Sequence, residues 1–213
     1  EMEERGPMRL TEVLEAQKQV IAEARRMGEE GTIMLGGKGD DYLAGLGGSD
    51  VLDGGDGRDT VVFADAANGI TIDLGRSGPQ NSGAGIVTLI SIENVIGSAF
   101  ADLFIASAGN DGFYGSGYDG DTVSYVNAVS GVTVDLNVYT AQRTGGSGTD
   151  ILEGMANLIG SAFDDRFLAS GLVGSTLRGE GGNDTLIGRF NDDTLYGGDG
   201  DDTLQGGDGS DLL

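Results

Sequence analysis

Aliphatic residues recur every nine positions in two blocks of the chain, residues 36–62 and 179–213. Each follows an aspartate by two residues, and that aspartate closes a glycine-rich hexapeptide of the form G-G-x-G-x-D. Glycines permit backbone angles that side chains forbid, so the hexapeptide predicts a turn and the next three residues a short strand whose middle side chain points inward. Two such units make a coil of about 18 residues, which predicts an all-β parallel β-roll or β-helix solenoid. The aliphatic residues are Leu43, Leu52, Val61, Leu186, Leu195, Leu204 and Leu213.

A longer repeat fills the region between the two blocks. Residues 59–74 match residues 121–136 at eight of sixteen positions, and residues 92–107 match residues 155–170 at ten of sixteen. Alternating apolar and polar runs within these segments predict strands, which loops rich in Gly, Ser, Asn and Gln at 75–85 and 137–148 connect. We therefore expect a duplicated unit of about 62 residues that forms wider coils of the same solenoid.

Residues 1–30 differ in composition from the rest of the chain, and this difference sets the predicted domain boundary. They hold eight of the eleven glutamates and no aspartate, and their apolar residues recur at helical spacing. This pattern predicts one N-terminal amphipathic α-helix over residues 8–28, which caps the solenoid or links it to an upstream region. A membrane-surface helix is disfavoured because the polar face carries mixed charges. The predicted domains are residues 1–30 and the solenoid, residues 31–213.

Composition excludes several classes of function. The chain has no Cys and no His, so disulfides, zinc or haem sites built on those residues, and His- or Cys-dependent catalysis are impossible. A net charge of −23 opposes binding to nucleic acid, and no apolar run is long enough to span a membrane. No residue has a recognisably catalytic environment, so we do not expect an enzyme.

The aspartate spacing indicates a hard cation. Residues 18 apart lie on the same edge of neighbouring coils, so their carboxylates repel each other unless a cation lies between them. Flexible sites made only of oxygen ligands suit Ca²⁺ better than Mg²⁺. Residues 184–211 carry eight aspartates and one basic residue, and we expect this stretch to remain disordered without metal. The pairs predicted to stack are Asp41 with Asp59, Asp184 with Asp202, and Asp193 with Asp211.

The nonapeptides resemble those of the repeats-in-toxin (RTX) family of secreted bacterial proteins, whose repeats bind Ca²⁺ in a parallel β-roll. The resemblance implies several Ca²⁺ ions in rows along both edges of the roll. It also implies that carbonyl groups at the second and fourth positions of each repeat, with the sixth-position aspartate, are the ligands. Carried over, the metal-site candidates are Gly37, Gly39, Asp41, Gly48, Asp50, Gly55, Gly57, Asp59, Gly182, Asp184, Asp193, Gly198, Gly200, Asp202, Gly207, Gly209 and Asp211.

Other repeats depart from the pattern. Phe100 and Phe163 stand where a fourth-position glycine belongs, and we expect both rings to pack in the core. Leu46, Glu180 and Arg189 replace second-position glycines, and Asn191 replaces a fourth-position glycine, changes that a carbonyl ligand tolerates. The secondary metal candidates, all in degraded repeats, are Asp102, Asp111, Asp121 and Asp165.

The resemblance implies a calcium-binding module of a secreted or cell-surface protein, which folds on binding Ca²⁺ outside the cell. A second hypothesis is a segment of a surface-layer, matrix or adhesin protein that self-associates with Ca²⁺. A third is a polysaccharide-binding module of a secreted enzyme, for which the few basic candidates are Arg76, Arg143, Arg166, Arg178 and Arg189. Since the last repeat stops in mid-pattern, we also expect upstream and downstream regions of a longer chain as partners.

Overall fold

The computed structural model describes residues 31–45, 47–115 and 120–213. Short β-strands make up the regular structure of these residues, and no helix occurs among them. The all-β prediction is confirmed for these residues, and the helix predicted over residues 8–28 lies outside them. The strands are β1 (Ile33–Lys38), β2 (Tyr42–Leu43), β3 (Ser49–Asp56), β4 (Thr60–Val62), β5 (Thr71–Asp73), β6 (Gln80–Asn81), β7 (Ile86–Ile90), β8 (Asn94–Ile96), β9 (Leu103–Ile105), β10 (Gly112–Tyr114), β11 (Thr122–Ser124), β12 (Thr133–Asp135), β13 (Gln142–Gly145), β14 (Gly148–Glu153), β15 (Asn157–Ile159), β16 (Arg166–Leu168), β17 (Thr176–Gly181), β18 (Thr185–Phe190), β19 (Thr194–Asp199) and β20 (Thr203–Asp208).

The strands form four sheets in which successive coils pair in parallel. Sheet 1 has the order β1-β3-β7-β6, and sheet 2 the order β13-β14-β10-β8-β4-β2. Sheet 3 has the order β19-β17-β15-β11-β9-β5, and sheet 4 the order β12-β16-β18-β20. In the nonapeptide blocks, paired residues are 18 apart, as Leu177 with Leu195 and Leu186 with Leu204. The parallel solenoid arrangement that the nine-residue period predicts is therefore observed.

The duplicated central unit moves the solenoid sideways by one sheet. In the first copy, β4 to β9 lie in sheets 2, 3, 1, 1, 2 and 3, and in the second copy β11 to β16 lie in sheets 3, 4, 2, 2, 3 and 4. Each copy contains one antiparallel hairpin, β6–β7 or β13–β14. The coils are wider here: the sequence separation between paired residues, such as Val51 and Thr88 or Gly112 and Ile151, is about twice that in the nonapeptide blocks.

Inward apolar side chains from most of the strands build a continuous core. Leu52, Val61, Ile72 and Leu186 are completely buried, and in the wide coils the core is completed by aromatic residues. The rings of Phe104 and Phe113 stack with centroids 5.3 Å apart. The expectation that Phe100 and Phe163 are core residues is wrong: 46% and 44% of their surfaces are exposed. Each lies within a turn rather than at the middle of a strand, so its side chain is directed away from the core.

The first glycine of each repeat is required for space rather than for an unusual backbone angle. A Cβ atom on Gly36 would lie 2.6 Å from Asp41 Oδ2 and 2.5 Å from the carbonyl oxygen of Gly54, and it would overlap both. A Cβ on Gly54 would overlap Asp59 Oδ2 and the carbonyl oxygen of Ser91 in the same way. The aspartate carboxylate therefore packs against the α-carbon of the glycine five residues before it.

Substitution of Gly54 by alanine tests this packing. We expect Gly54→Ala to lower the free energy of unfolding by about 2 kcal/mol, because neither the backbone nor the buried carboxylate can move away cheaply. The control is Gly78→Ala, where a Cβ meets nothing within 4 Å and a change within about 0.5 kcal/mol is expected. Urea unfolding at one fixed calcium concentration measures both. Equal losses in the two variants would contradict the steric role.

Candidate metal centre

Hydrogen bonds from the backbone to aspartate side chains connect the turns of successive coils. The N–H of Asp41 donates to Asp59 Oδ1 at 2.8 Å, that of Asp184 to Asp202 Oδ1 at 2.9 Å, and that of Asp193 to Asp211 Oδ1 at 2.9 Å. The three aspartate pairs singled out from the sequence are thus neighbours on adjacent coils. We call each such line of hydrogen-bonded aspartates an aspartate ladder and each aspartate a rung.

The ladders continue into the central unit and include the secondary candidates. The N–H of Asp165 donates to Asp184 Oδ1 at 2.7 Å, and the N–H of Asp102 to Asp121 Oδ1 at 2.8 Å. Four of the aspartates accept a bond from the N–H of a residue that is not an aspartate: Thr32 donates to Asp50, Ile70 to Asp102, Val132 to Asp165 and Ser175 to Asp193. In each of these bonds one carboxylate oxygen holds two coils together.

The other carboxylate oxygen lacks a hydrogen-bond donor in four turns whose second and fourth residues have a left-handed backbone, which we call glycine-type turns. Within the described residues, the buried Oδ2 atoms of Asp41, Asp59, Asp184 and Asp193 accept no hydrogen bond. A buried acceptor without a partner costs on the order of 1–3 kcal/mol, and more when it carries a charge. These four oxygens are therefore positions at which a cation would replace a missing interaction.

Burial and neighbouring charge destabilise the ionised state of these rungs. Burial, with a smaller contribution from the charges of Asp165 and Asp202, raises the pKa of Asp184 to about 6. The hydrogen bond from the N–H of Asp165 acts in the opposite direction and lowers it. Burial also raises the pKa of Asp193, with an added contribution from Asp211. A shared cation would reverse this penalty, because opposite charge favours the ionised form.

Glycines at the second and fourth positions give the turn its shape. Gly37 and Gly39 have φ angles of 105° and 101°, in the left-handed region that favours glycine. A Cβ atom on Gly55 or Gly57 would overlap the carbonyl oxygens of Gly37 or Gly39 in the preceding coil. The carbonyl oxygens at these two positions therefore face the gap between stacked turns, as the ligand set implied by the family resemblance requires.

Side chains that replace these glycines keep the same backbone shape. Glu180 and Arg189 at second positions have φ angles of 74° and 78°, and Asn191 at a fourth position has 73°. Since the left-handed backbone is retained, the carbonyl groups of these turns remain directed as in the glycine turns. In the ranges described here, no group of three acidic side chains lies close enough to hold a metal ion, so any site needs these carbonyl oxygens.

Exposed side chains at the fifth position form a second line of bonds. Asp40 Oδ1 accepts from the N–H of Arg58 at 2.9 Å, Asn183 Oδ1 from that of Asp201 at 2.8 Å, and Asp192 Oδ1 from that of Ser210 at 2.8 Å. In this line the earlier coil provides the acceptor, whereas in the aspartate ladder it provides the donor. The turns are therefore aligned by side chains on both sides of the candidate ligands.

Sequence reasoning missed one complete repeat. Residues 145–153 read G-G-S-G-T-D-I-L-E, which satisfies all positions of the motif but lies outside the nine-residue phase of the two blocks. The structure folds its first four residues as the tight hairpin between β13 and β14. Asp150 accepts from the N–H of Asp111 at 3.0 Å, from Thr144 Oγ1 at 2.9 Å and from the Tyr125 hydroxyl at 3.2 Å. A search for the motif without a fixed phase would have found it.

A second missed residue is Glu93, whose Oε2 accepts from the N–H of Asp59 at 2.9 Å. It takes the place of a ladder aspartate on a coil that has no nonapeptide turn. Because its side chain is longer and its sequence context lacks the glycines, the repeat pattern could not single it out.

The arginines considered for polysaccharide binding do not form one basic face. Arg143 lies in sheet 2, Arg178 in sheet 3, and Arg166 and Arg189 in sheet 4. Arg189 pairs with Asp135 at 2.8 Å, and Arg178 lies 4.5 Å from the centre of the Tyr196 ring. Polysaccharide binding through these residues stays a hypothesis.

Replacement of a rung carboxylate by an amide tests the metal site. Asp184→Asn can still accept the bond from Asp165 but carries no charge, so we expect the calcium concentration at half-maximal folding to rise about tenfold or more. Asp201→Asn removes the same charge from an exposed fifth position and should shift the midpoint by less than about twofold. Circular dichroism during calcium titration measures both. Equal shifts would contradict a role for the buried rung.

Residues 1–35 of the chain are similar to a different family from the rest. They match the FliG C-terminal domain. A stretch of 43 residues is 51% identical to the flagellar motor switch protein FliG of Pseudomonas aeruginosa, covering 20% of this chain and 13% of that relative. The chain therefore shares only a small part of the length of this relative, and the similarity falls mainly before the described residues.

The remaining family matches cover parts of the chain that contain ladder aspartates. Residues 28–63, 91–117 and 176–213 match the RTX calcium-binding nonapeptide repeat, in four copies. These ranges contain the glycine-type turns around Asp41, Asp59, Asp184 and Asp193. They also contain the turns around Asp102 and Asp111, which depart from the glycine pattern. The chain therefore contains RTX calcium-binding nonapeptide repeats.

Proposed function

We propose that this chain is a calcium-binding module that completes its fold when Ca²⁺ binds outside the cell. The observation that carries the proposal is the set of buried, unpartnered Oδ2 atoms on stacked glycine-type rungs. They belong to turns in which second- and fourth-position carbonyl oxygens face the gap between coils. This combination supplies oxygen ligands and negative charge in the same place.

The residues that would hold the ion follow from this arrangement. In the first block they are the carbonyl groups of Gly37 and Gly39 with the carboxylates of Asp41 and Asp59, and the second block repeats the set around Asp184, Asp193, Asp202 and Asp211. The ion would supply positive charge shared between neighbouring rungs. Turns built on flexible glycines suit the variable coordination of Ca²⁺ better than the strict octahedron of Mg²⁺.

Electrostatics couples binding to folding. Residues 31–213 contain 27 acidic and seven basic residues, a net charge of −20, which opposes the compact state. Extracellular calcium sites have dissociation constants of about 10⁻⁴–10⁻³ M, and a site at 100 times its dissociation constant adds about 2.7 kcal/mol to stability. Several such sites are enough to decide whether the nonapeptide blocks fold.

Calcium removal is the direct test. We expect far-UV circular dichroism to report mainly coil in chelator and a gain of β-structure on addition of millimolar Ca²⁺, with the same concentration of Mg²⁺ producing much less. A spectrum that is fully β-structured in chelator and unchanged by Ca²⁺ would defeat the proposal.

Secretion agrees with this coupling. RTX repeats are typical of secreted proteins, and the parts of the chain that the structure describes contain no helix able to cross a membrane. Sites of millimolar affinity stay empty at the low free Ca²⁺ of a cytoplasm and fill outside the cell. Calcium concentration would thus decide in which compartment the module folds.

A second candidate function, self-association as in a surface-layer, matrix or adhesin protein, is favoured by an apolar surface on sheet 1. Ile33 and Leu35 on β1 are 72% and 73% exposed, and Ile86 and Ile90 on β7 are also exposed. Leu35 pairs with Asp53, which pairs with Ile90, so these side chains share the outer face of the sheet. We propose a second copy of the chain as the occupant of this face, because β1 is also an edge strand of sheet 1 within the described residues and an open edge invites pairing with another copy.

Sedimentation velocity in calcium tests the second candidate. We expect the wild type to form dimers whose dissociation constant rises at least about tenfold in Leu35→Lys, because a charge replaces apolar contact. Leu172→Lys is the control, since Leu172 is 55% exposed but lies in the loop between β16 and β17, away from sheet 1. A wild type that remains monomeric at all concentrations in calcium would exclude self-association.

A further inference from the structure

Three repeats carry serine at the second position, where the turns of Asp41, Asp59, Asp184, Asp193, Asp202 and Asp211 have a residue with a left-handed backbone. Ser98, Ser107 and Ser161 each stand four residues before a ladder aspartate, Asp102, Asp111 and Asp165. None of the three serines has a positive φ angle, whereas Gly37, Gly55, Gly198 and Gly207 lie between 99° and 112°. The serine turns therefore have a different backbone shape from the glycine turns.

In this shape, each serine makes two hydrogen bonds to the aspartate of its own turn. Ser98 donates its N–H to Asp102 Oδ2 at 2.7 Å and its hydroxyl to Oδ1 at 2.6 Å. Ser161 does the same with Asp165, at 2.6 and 3.0 Å. Ser107 donates its N–H to Asp111 Oδ2 at 2.6 Å and its hydroxyl to Oδ1 at 2.9 Å. The oxygen that lacks a partner in the glycine turns is thus satisfied in the serine turns.

The serine hydroxyl also fixes the rest of its turn. Ser98 Oγ accepts from the N–H of Phe100, and Ser161 Oγ from the N–H of Phe163, both at 3.1 Å. Ser107 Oγ accepts in the same way from Gly109 at 2.9 Å. Because neither Phe has a positive φ angle, the fourth position no longer needs glycine, which explains how the large ring is accommodated there.

We propose that serine at the second position takes the place of Ca²⁺, so that Asp102, Asp111 and Asp165 are held by protein hydrogen bonds and bind no ion. This inference rests on the proposed function, because it assigns Ca²⁺ to the glycine-type rungs and excludes it from the serine-type rungs. Asp102 and Asp165 each accept three hydrogen bonds and Asp111 accepts two, so both oxygens of each carboxylate already have a donor and gain less from a cation than an unpartnered oxygen does.

The division has a consequence for the whole chain. The serine-type rungs all lie between residues 98 and 165, and the four glycine-type rungs Asp41, Asp59, Asp184 and Asp193, whose Oδ2 atoms accept no hydrogen bond, lie on either side of them. Asp150, also in the central unit, is satisfied by Tyr125, Thr144 and the backbone of Asp111. Two calcium-binding blocks therefore flank a central unit in which these carboxylates are satisfied without metal.

Counting bound Ca²⁺ by equilibrium dialysis of the full chain tests the proposal. We expect Asp102→Asn to bind as many ions as the wild type at saturating calcium, although its amide nitrogen meets the N–H of Ser98 and lowers the free energy of unfolding. Asp184→Asn, the matched change on a glycine-type rung, should bind fewer ions. A reduced ion count in Asp102→Asn would overturn the inference and leave the proposed function intact, whereas a wild type that binds no Ca²⁺ would overturn both.

A gain-of-site variant tests the same idea in the opposite direction. The double variant Ser161→Gly and Phe163→Gly converts residues 160–165 into G-G-A-G-D-D, a complete turn, next to the rung of Asp184. We expect it to bind one more Ca²⁺ than the wild type. The control Ser161→Ala loses the hydroxyl donor but keeps the other side chains, and it should unfold more easily at every calcium concentration with no added ion. If the double variant folds in calcium and its ion count equals that of the wild type, serine does not exclude the metal.

Discussion

The bond from the peptide N–H of one rung to the aspartate Oδ1 of the next is the constraint on which the solenoid turns depend. Any residue can donate its N–H, but the next coil must place a carboxylate opposite it, and in the narrow coils this sets the 18-residue spacing of Asp184 and Asp202. The bond also brings negative charges into a buried line, where burial raises the pKa of Asp184 to about 6. The fold therefore needs a second interaction for the remaining carboxylate oxygen, and the chain differs from place to place in how it provides one.

Two protein solutions to that requirement are visible in the duplicated unit. Serine supplies two donors at Asp102, Asp111 and Asp165, whereas hydroxyl groups of Tyr125 and Thr144 supply them at Asp150. Burial raises the pKa of Tyr125, so its phenol keeps the proton that it donates. In the first copy the positions that correspond to Tyr125 and Asp150 are Phe63 and Val87. Phenol and carboxylate are thus present together in one copy and absent together in the other, as expected for a buried polar pair.

The nine-residue period was enough to predict the parallel coils, the stacked aspartate pairs and the inward aliphatic residues, because each depends on local spacing; the exception is Leu213, which is 62% exposed. It failed where the chain leaves that phase. The loop expected at 137–148 contains β13. The motif at 145–153 forms the turn of an antiparallel hairpin and then its second strand, β14, which pairs with β13. Phe100 was expected in the core because serine's ability to close the turn could not be seen from composition. The hydrogen-bond partners of a carboxylate depend on backbone angles, which the motif alone does not specify.

Two of the three serine turns, those of Asp102 and Asp165, occur where the sideways step of the solenoid starts a new ladder. The turns between sheets 1 and 2 hold Asp41, Asp59 and Glu93, those between sheets 2 and 3 hold Asp102 and Asp121, and those between sheets 3 and 4 hold Asp165, Asp184 and Asp202. Each copy of the duplicated unit thus starts a new ladder on a new edge. Asp102 and Asp165 follow wide coils in which Ile70 and Val132 occupy the preceding rung, so no earlier carboxylate is present to share a cation. At those two positions a serine within the same turn supplies donors to the first carboxylate of a ladder, whereas Asp193, which begins a ladder after Ser175, lies in a glycine-type turn and keeps an Oδ2 without a donor.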